Sequence, residues 1–264
     1  MDTVNAGGFR IGFERKGTGP PLVLLHGALS DSRAWRKQLD GLCDEFTVVA
    51  WDAPGCGRSS DPPESFRLSD YADCLAEFLQ EISIERPHLL GLSFGGGLAL
   101  EFYHRYPGIP RTMLLVSAYA GWAGSLPAEE VRNRLEQALK LSEEPPEQLV
   151  KMWMPSMFSS SVPPEVVEEA AAMMADFHPI GMRAMARAFA EADLRDVLPH
   201  IEVPTLLLYG EYDQRSPSHV ARELHARIPK STLVIIPGVG HDISTEVPAI
   251  FNTEVRGFLS SIRD

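Results

Sequence analysis

The strongest constraint on the fold of this chain is the stretch Gly91-Leu92-Ser93-Phe94-Gly95. It joins an apolar run over 87–92, typical of a short buried strand, to a helical pattern over 98–106. Ser93 is therefore predicted to lie in the turn between strand and helix. Such a turn is strained, and glycines on both sides let neighbouring backbone pass close to the serine. Without this context the motif is an ordinary glycine-rich helix start, but the strand and helix favour an outward-pointing serine hydroxyl that acts as a nucleophile.

Length and charge limit the class of protein to which this chain can belong. With 264 residues, the chain is long enough for one large α/β domain or for a core with an inserted subdomain. Its 24 basic and 36 acidic residues give a formal net charge of −12. No run of Lys or Arg is present, and a phosphate backbone would be repelled, so a nucleic-acid partner is not expected.

The cysteines and the apolar runs indicate the compartment. Cys43, Cys56 and Cys74 are an odd number without metal-type spacing, which predicts free thiols in a reducing environment. The first residues lack the charged and apolar regions of a signal peptide, and no apolar run approaches the roughly 18 residues needed to cross a bilayer. We therefore expect a cytoplasmic protein without a membrane partner, either a monomer or a homodimer.

The pattern along the chain predicts a mostly parallel sheet. Helical patterns separate most of the strand-like segments, a βαβ rhythm. Seven segments have strand character: 9–15, 22–25, 47–51, 87–92, 112–117, 204–210 and 232–236. Between them, residues 122–198 have helical patterns and no good strand, with prolines at the expected helix starts. We interpret 1–121 as the first part of a core, 122–198 as an inserted helical cap, and 199–264 as the second part of the core.

A serine hydroxyl is a weak nucleophile and needs a base, which a carboxylate in turn holds in place. Both partners are expected on loops after late strands, in the order acid and then histidine. Asp213 follows the strand over 204–210, and His241 follows the last strand. Glu211 is the rival acid, and Asp213 can also be a carboxylate in an exposed loop or at a helix start. The seven other histidines are expected to be surface or core residues, whereas Gly238 and Gly240 free the loop that carries His241.

The same chemistry needs backbone N–H donors where the oxyanion forms. One donor is expected from the residue after the nucleophile, Phe94. The second is expected from the loop after an early strand, where we assign Ala28 because Gly27 permits a sharp turn. His26 and Gly27 can equally be a simple strand exit.

No motif for a cofactor or a metal is present in the sequence. The segment 52–59 follows a strand, but a dinucleotide fingerprint requires glycine where Ser60 stands. No metalloprotease, EF-hand, Cys/His or phosphate-loop pattern occurs. We therefore expect neither a cofactor nor a metal.

Taken together, these motifs resemble the α/β-hydrolase fold superfamily, in order and in spacing, over nearly the whole chain. The resemblance is carried by His26-Gly27, the segment 52–59, the segment 91–96, the segment 210–213 and Gly240-His241. It implies an eight-stranded, mostly parallel sheet flanked by helices, with a helical cap after strand 6 and a substrate pocket between cap and core. The chain looks closest to small capped esterases and lactonases, including enol-lactone and acyl-homoserine-lactone hydrolases, with haloperoxidase and perhydrolase relatives nearby. Serine at position 93 argues against the dehalogenase and epoxide hydrolase branches, which attack through a carboxylate.

The predicted cap is rich in methionine and aromatic residues, which suit an adaptable apolar wall. Seven of the nine methionines lie there, at positions 152, 154, 157, 173, 174, 182 and 185. Candidate pocket residues are Trp35, Trp122, Trp153, Met154 and Phe158. The alternatives are that the methionines only fill gaps between helices and that Trp35 anchors its own helix, which we favour for Trp35. An apolar wall predicts that kcat/KM rises with acyl length until the pocket is full.

The sequence therefore predicts a serine hydrolase that acts on a small-molecule ester or lactone with an apolar acyl group. Hydrolysis of carbon–carbon bonds, perhydrolysis and hydroxynitrile lyase chemistry use a similar arrangement and stay open. A small-molecule receptor that barely turns over its ligand is an alternative of another class.

Overall fold

The order of the sheet is β1-β2-β4-β3-β5-β6-β7-β8 in the computed structural model, which describes residues 2–262. The strands are β1 Asp2–Ala6, β2 Phe9–Lys16, β3 Pro21–Leu25, β4 Thr47–Trp51, β5 His88–Leu92, β6 Thr112–Val116, β7 Thr205–Gly210 and β8 Ser231–Ile236. The β1–β2 and β2–β4 pairs are antiparallel, and the other pairs are parallel. The prediction of an eight-stranded, mostly parallel sheet is confirmed.

Helices cover both faces of this sheet. They are α1 Arg36–Leu42, α2 Leu68–Glu81, α3 Phe94–Arg105, α4 Ala128–Leu141, α5 Pro146–Trp153, α6 Pro164–Ala175, α7 Pro179–Glu191, α8 Ser218–Arg227, α9 Ile243–Glu246 and α10 Pro248–Ser260. Side chains of a strand alternate between faces, so Val23 and Leu25 of β3 join the core under α2, α3 and α8. Leu22 and Leu24 join the core under α1 and α10. Burial on both faces explains the continuous apolar runs of the central strands.

Strand β1 has no strand pattern in the sequence, although the resemblance implies an eighth strand. It pairs with β2 through a turn at Gly7 and Gly8, whose φ values are 60° and 78°. These positive angles suit the tight turn of a hairpin. Most of β1 is exposed at the edge of the sheet, and exposure removes the apolar alternation that makes a strand recognisable.

Helices α4 to α7 are inserted between β6 and β7, and we call residues 122–198 the helical insertion. Each of these four helices begins next to a proline, as predicted, because proline suits the first turn of a helix. Part of the insertion packs on the core, since the Phe189 ring of α7 contacts Phe94 and Tyr119. Other apolar residues of the insertion, such as Leu149 and Met174, form a separate cluster with Leu29 of the core. The division into core and cap domains stays a prediction.

Within residues 2–262, no helix is long and apolar enough to cross a membrane.

Candidate active site

Ser93 occupies a strained turn between β5 and α3. Its φ of 54° and ψ of −110° lie outside the regions that non-glycine residues usually adopt. The turn is held by close packing, because a Cβ at Gly91 would lie 2.1 Å from the carbonyl oxygen of Gly95. A Cβ at Gly95 would lie 2.2 Å from the carbonyl oxygen of Leu25. The two glycines of the motif therefore let β3, β5 and the start of α3 approach each other around the serine.

His241 and Asp213 form a buried pair on the loops after β8 and β7. His241 Nδ1 lies 2.9 Å from each carboxylate oxygen of Asp213. The backbone N–H groups of Arg215 and Ser216 each donate to Asp213 Oδ1 at 2.8 Å. Burial acts to raise the pKa of Asp213, but the His241 imidazole and these N–H donors outweigh it, so the pKa lies below its ordinary value. An ionised Asp213 therefore holds the proton of His241 on Nδ1 and leaves Nε2 free to accept one.

The structure distinguishes Asp213 from its rival Glu211. The Glu211 side chain is exposed and accepts a hydrogen bond from Gly238 N at 2.9 Å, away from the histidine. The sequence allows an exposed loop for Asp213, and this is wrong, because only 4% of the residue is exposed. The carboxylate points into the protein because His241 and two backbone donors bind it there.

Ala28 and Phe94, the two predicted oxyanion donors, line the same cavity as Ser93. His26 fixes the turn that carries Ala28. Its Nδ1 donates to the carbonyl oxygen of Gly27 at 2.7 Å, and its Nε2 accepts from Ala53 N at 3.0 Å. Burial lowers the pKa of His26, which favours this neutral form. His26 is therefore a positioning residue for the turn and not a simple strand exit.

A cavity of about 50 Å³ lies between the sheet and the helical insertion. Ser93 and His241 line it. Four of the five candidate pocket residues line it as well, namely Trp122, Trp153, Met154 and Phe158. Of the methionines of the insertion, Met154, Met157, Met173 and Met174 line the cavity. Met152 is 52% exposed on the surface, so it takes no part in an apolar wall.

Trp35 does not line this cavity, which corrects its assignment as a candidate pocket residue. It is fully buried in the core beneath α10, where its ring centroid lies 6.2 Å from that of Phe251. Trp35 ends a short 3-10 helix over Ser32–Trp35, and its side chain turns inward to the sheet. It anchors its helix, as the alternative interpretation states.

The sequence analysis did not anticipate a hydrogen-bonded polar group in the cavity wall, which consists of Tyr119, Arg134 and Arg215. The Tyr119 hydroxyl donates to the carbonyl oxygen of Arg215, and Arg134 donates to Tyr119 Oη at 3.0 Å. Arg134 also forms an ion pair with Glu130 at 2.6 Å. These residues come from three separate segments, and no motif in the sequence links them.

The helical insertion contacts the loop that carries His241 directly. The carbonyl oxygen of Met157 accepts from His241 N at 2.9 Å and from Asp242 N at 3.0 Å. Glu246 Oε2 accepts from Ser159 N at 3.1 Å and from Gly240 N at 3.0 Å, and Glu246 Oε1 accepts from the Ser159 hydroxyl. The Glu246 carboxylate therefore joins the insertion to the histidine loop.

Replacing Glu246 with alanine is expected to lower the free energy of unfolding by about 1–3 kcal/mol, because backbone donors on both segments lose a charged acceptor. Urea unfolding of the wild type and Glu246→Ala measures this loss. The matched control is Glu85→Ala, which removes an equal charge at an exposed position and should change stability little. Equal unfolding curves for Glu246→Ala and the wild type would contradict the proposed connection.

Residues 2–262 contain no arrangement of side chains suited to a metal ion. No cluster of three or more His, Cys, Asp or Glu side chains in this part of the chain is arranged to hold a metal ion. Cys43, Cys56 and Cys74 are free thiols, and the last two are buried.

Comparisons with known proteins agree with this architecture. Residues 22–254 match the sequence model of the alpha/beta hydrolase family. A thermophilic esterase from Thermogutta terrifontis has a similar structure, with a TM-score of 0.92 and 31% identity over 98% of each chain. The chain is 27% identical to the putative carbamate hydrolase RutD of Azorhizobium caulinodans over 99% of both proteins. It is 25% identical to 3-oxoadipate enol-lactonase 2 of Acinetobacter baylyi, over 91% of this chain and 88% of that protein.

The chain therefore belongs to the alpha/beta hydrolase family, which confirms the resemblance carried by its motifs. Its neighbours include esterases, an enol-lactonase and a carbamate hydrolase.

Proposed function

We propose that this protein is a serine hydrolase that cleaves a small carboxylic ester or lactone through an acyl-enzyme. The observation that carries the proposal is the strained Ser93 turn, which lines the same cavity as His241, itself paired with the buried Asp213 carboxylate. A nucleophile, a base and an orienting acid are the three groups that acyl transfer by serine requires. Similarity to an esterase and to an enol-lactonase also supports a carboxylic ester as substrate.

In the first half of the reaction, Ser93 Oγ attacks the carbonyl carbon while His241 Nε2 takes the hydroxyl proton. Asp213 accepts the Nδ1–H of His241 and stabilises the imidazolium that forms. The N–H groups of Ala28 and Phe94 donate to the oxyanion. The bond to the leaving oxygen then breaks, and His241 returns the proton to that oxygen.

In the second half, water replaces the alcohol. His241 Nε2 takes a proton from the water as the water oxygen attacks the acyl carbon of the Ser93 ester. The same N–H groups stabilise the second oxyanion. The carboxylic acid leaves, and Ser93 recovers its proton from His241. For a lactone, the alcohol and the acid are two ends of one product.

The size of the cavity limits the acyl group and revises the sequence-based expectation for chain length. A single water needs roughly 10–15 Å³, so a cavity of about 50 Å³ favours a short acyl group. We expect kcat/KM for 4-nitrophenyl esters to be highest between acetyl and butyryl and to fall at hexanoyl and octanoyl. Longer chains would have to displace the aromatic and methionine side chains of the wall.

The same ester series tests the proposed function against a receptor. An acyl-enzyme predicts a burst of 4-nitrophenol equal to the enzyme concentration, followed by steady turnover. Binding of the esters without release of 4-nitrophenol would overturn the proposal and favour a receptor. A rate that rises up to octanoyl would overturn the size limit alone.

A further inference from the structure

Arg215 places a cationic side chain on the wall of the cavity that contains Ser93. It lies two residues after Asp213, on the loop between β7 and α8. Its guanidinium carbon lies 4.0 Å from the ring centroid of Trp153, and its Nη1 donates to Ser156 Oγ at 3.1 Å. Stacking on the indole ring holds the guanidinium plane in one orientation.

No carboxylate of residues 2–262 forms an ion pair with Arg215, which distinguishes it from Arg134. Arg134 is neutralised by Glu130 on the same helix. The nearby Asp213 carboxylate is occupied by His241 and by two backbone donors. Burial lowers the pKa of Arg215, but an arginine stays protonated throughout the physiological range. The cavity wall therefore carries a half-buried positive charge, whose side-chain partners in the described part of the chain are a hydroxyl and an aromatic ring.

The other titratable groups that line this cavity do not provide Arg215 with a negatively charged partner. Asp242 accepts hydrogen bonds from the Ser244 hydroxyl and from Thr245 N, and burial raises its pKa. Tyr119 donates its hydroxyl proton to a backbone carbonyl. In a chain with a formal net charge of −12, an arginine that lines this cavity without a carboxylate partner in the described part of the chain favours an anionic ligand.

We propose that Arg215 forms a subsite for a carboxylate of the substrate, so that this protein prefers short esters or lactones that carry a second, free carboxyl group. This inference rests on the proposed ester or lactone hydrolysis and adds its substrate class. A guanidinium binds a carboxylate through two parallel N–H···O bonds, and water exclusion strengthens such bonds. The small volume of the cavity restricts the substrate to half-esters of short dicarboxylic acids or to lactones of similar size.

Two matched pairs of esters test this inference, one for each side of the scissile bond. Monomethyl succinate is compared with methyl pentanoate by titration of the released acid, and 4-acetoxybenzoate with its methyl ester. We expect the wild type to prefer the anionic member of at least one pair. In Arg215→Met, which keeps an apolar side chain against Trp153, the ratio of kcat/KM for the anionic to the neutral member should fall by roughly 10- to 100-fold. The control Arg222→Met removes the same charge from the exposed face of α8 and should leave the ratio unchanged.

Calorimetric titration of the wild type with succinate gives a readout that does not depend on turnover or on the folding of a variant. Saturable binding of succinate, and none of butyramide, is expected. A wild type that hydrolyses neutral esters as well as anionic ones and does not bind succinate would overturn the subsite and leave the proposed function intact. Succinate binding by a protein that cleaves none of the esters would overturn the proposed function and leave the subsite intact.

Discussion

Replacing Ser93 with alanine is expected to lower kcat for ester hydrolysis by roughly 10⁶-fold, because the variant lacks the atom that forms the acyl bond. Serine nucleophiles of this kind react with fluorophosphonates, so the wild type should take up one fluorophosphonate per chain at Ser93 and Ser93→Ala none. Steady-state kinetics and mass spectrometry of the labelled peptide measure the two effects.

The Ser93→Ala variant should keep its fold, since alanine meets the same backbone strain at a φ of 54° as serine does. Its thermal unfolding curve is expected to match that of the wild type closely. Ser160→Ala, which changes an exposed serine of the helical insertion, is the matched control and should retain both activity and labelling. If Ser93→Ala kept more than about one part in a thousand of the wild-type turnover, the proposed nucleophile would be contradicted. Loss of the residue that bonds to the acyl group lowers the rate by far more than a thousandfold.

Replacing Asp213 with asparagine is expected to lower kcat/KM by up to roughly 10⁴-fold. The amide no longer requires that His241 carry its proton on Nδ1, so the histidine loses the tautomer that accepts a proton at Nε2. The control is Glu211→Gln, which changes an exposed carboxylate two residues earlier and should have little effect. Greater damage from Glu211→Gln than from Asp213→Asn would show that the wrong acid is assigned.

Asp213→Asn should also be less stable at neutral pH, by about 1–3 kcal/mol, because the hydrogen bonds that the buried carboxylate accepts are weakened. The pKa of Asp213 is lowered in the folded protein, so its ionised form stabilises the fold above the ordinary carboxyl pKa. That contribution disappears as the pH falls through the folded-state pKa. The difference in unfolding free energy between wild type and variant should therefore shrink below about pH 4. A difference that stays constant from pH 7 to pH 3 would contradict this assignment.

Much of the fold was predictable because it depends on local patterns. Both faces of the central strands are covered, so strands such as β4 and β6 are continuous apolar runs in the sequence. The serine turn was predictable because only small residues fit beside it, and glycine is present at both positions, Gly91 and Gly95. Strand β1 was not recognisable by pattern, because most of its side chains are exposed at the sheet edge.

The candidate acid and base were also predicted, because each follows a recognisable strand. The sequence by itself determined the order of elements, the serine turn and the two loops that carry Asp213 and His241, since all of these depend on residues close together in the chain. Burial of Asp213, the place of Trp35 in the core, and the connection through Glu246 were decided by tertiary structure only.

The difference between what the sequence predicts and what tertiary structure decides is clearest at the cavity wall. Its cationic part combines Tyr119, Arg134 and Arg215 with Trp153, and these residues come from four separate segments. Whether an arginine has a carboxylate partner depends on which side chains come into contact in the folded protein. The spacing of residues along the chain does not predict these contacts. The sequence determined which chemistry each loop carries. The tertiary structure decided that, within residues 2–262, Arg134 has a carboxylate partner in the cavity wall and Arg215 has none.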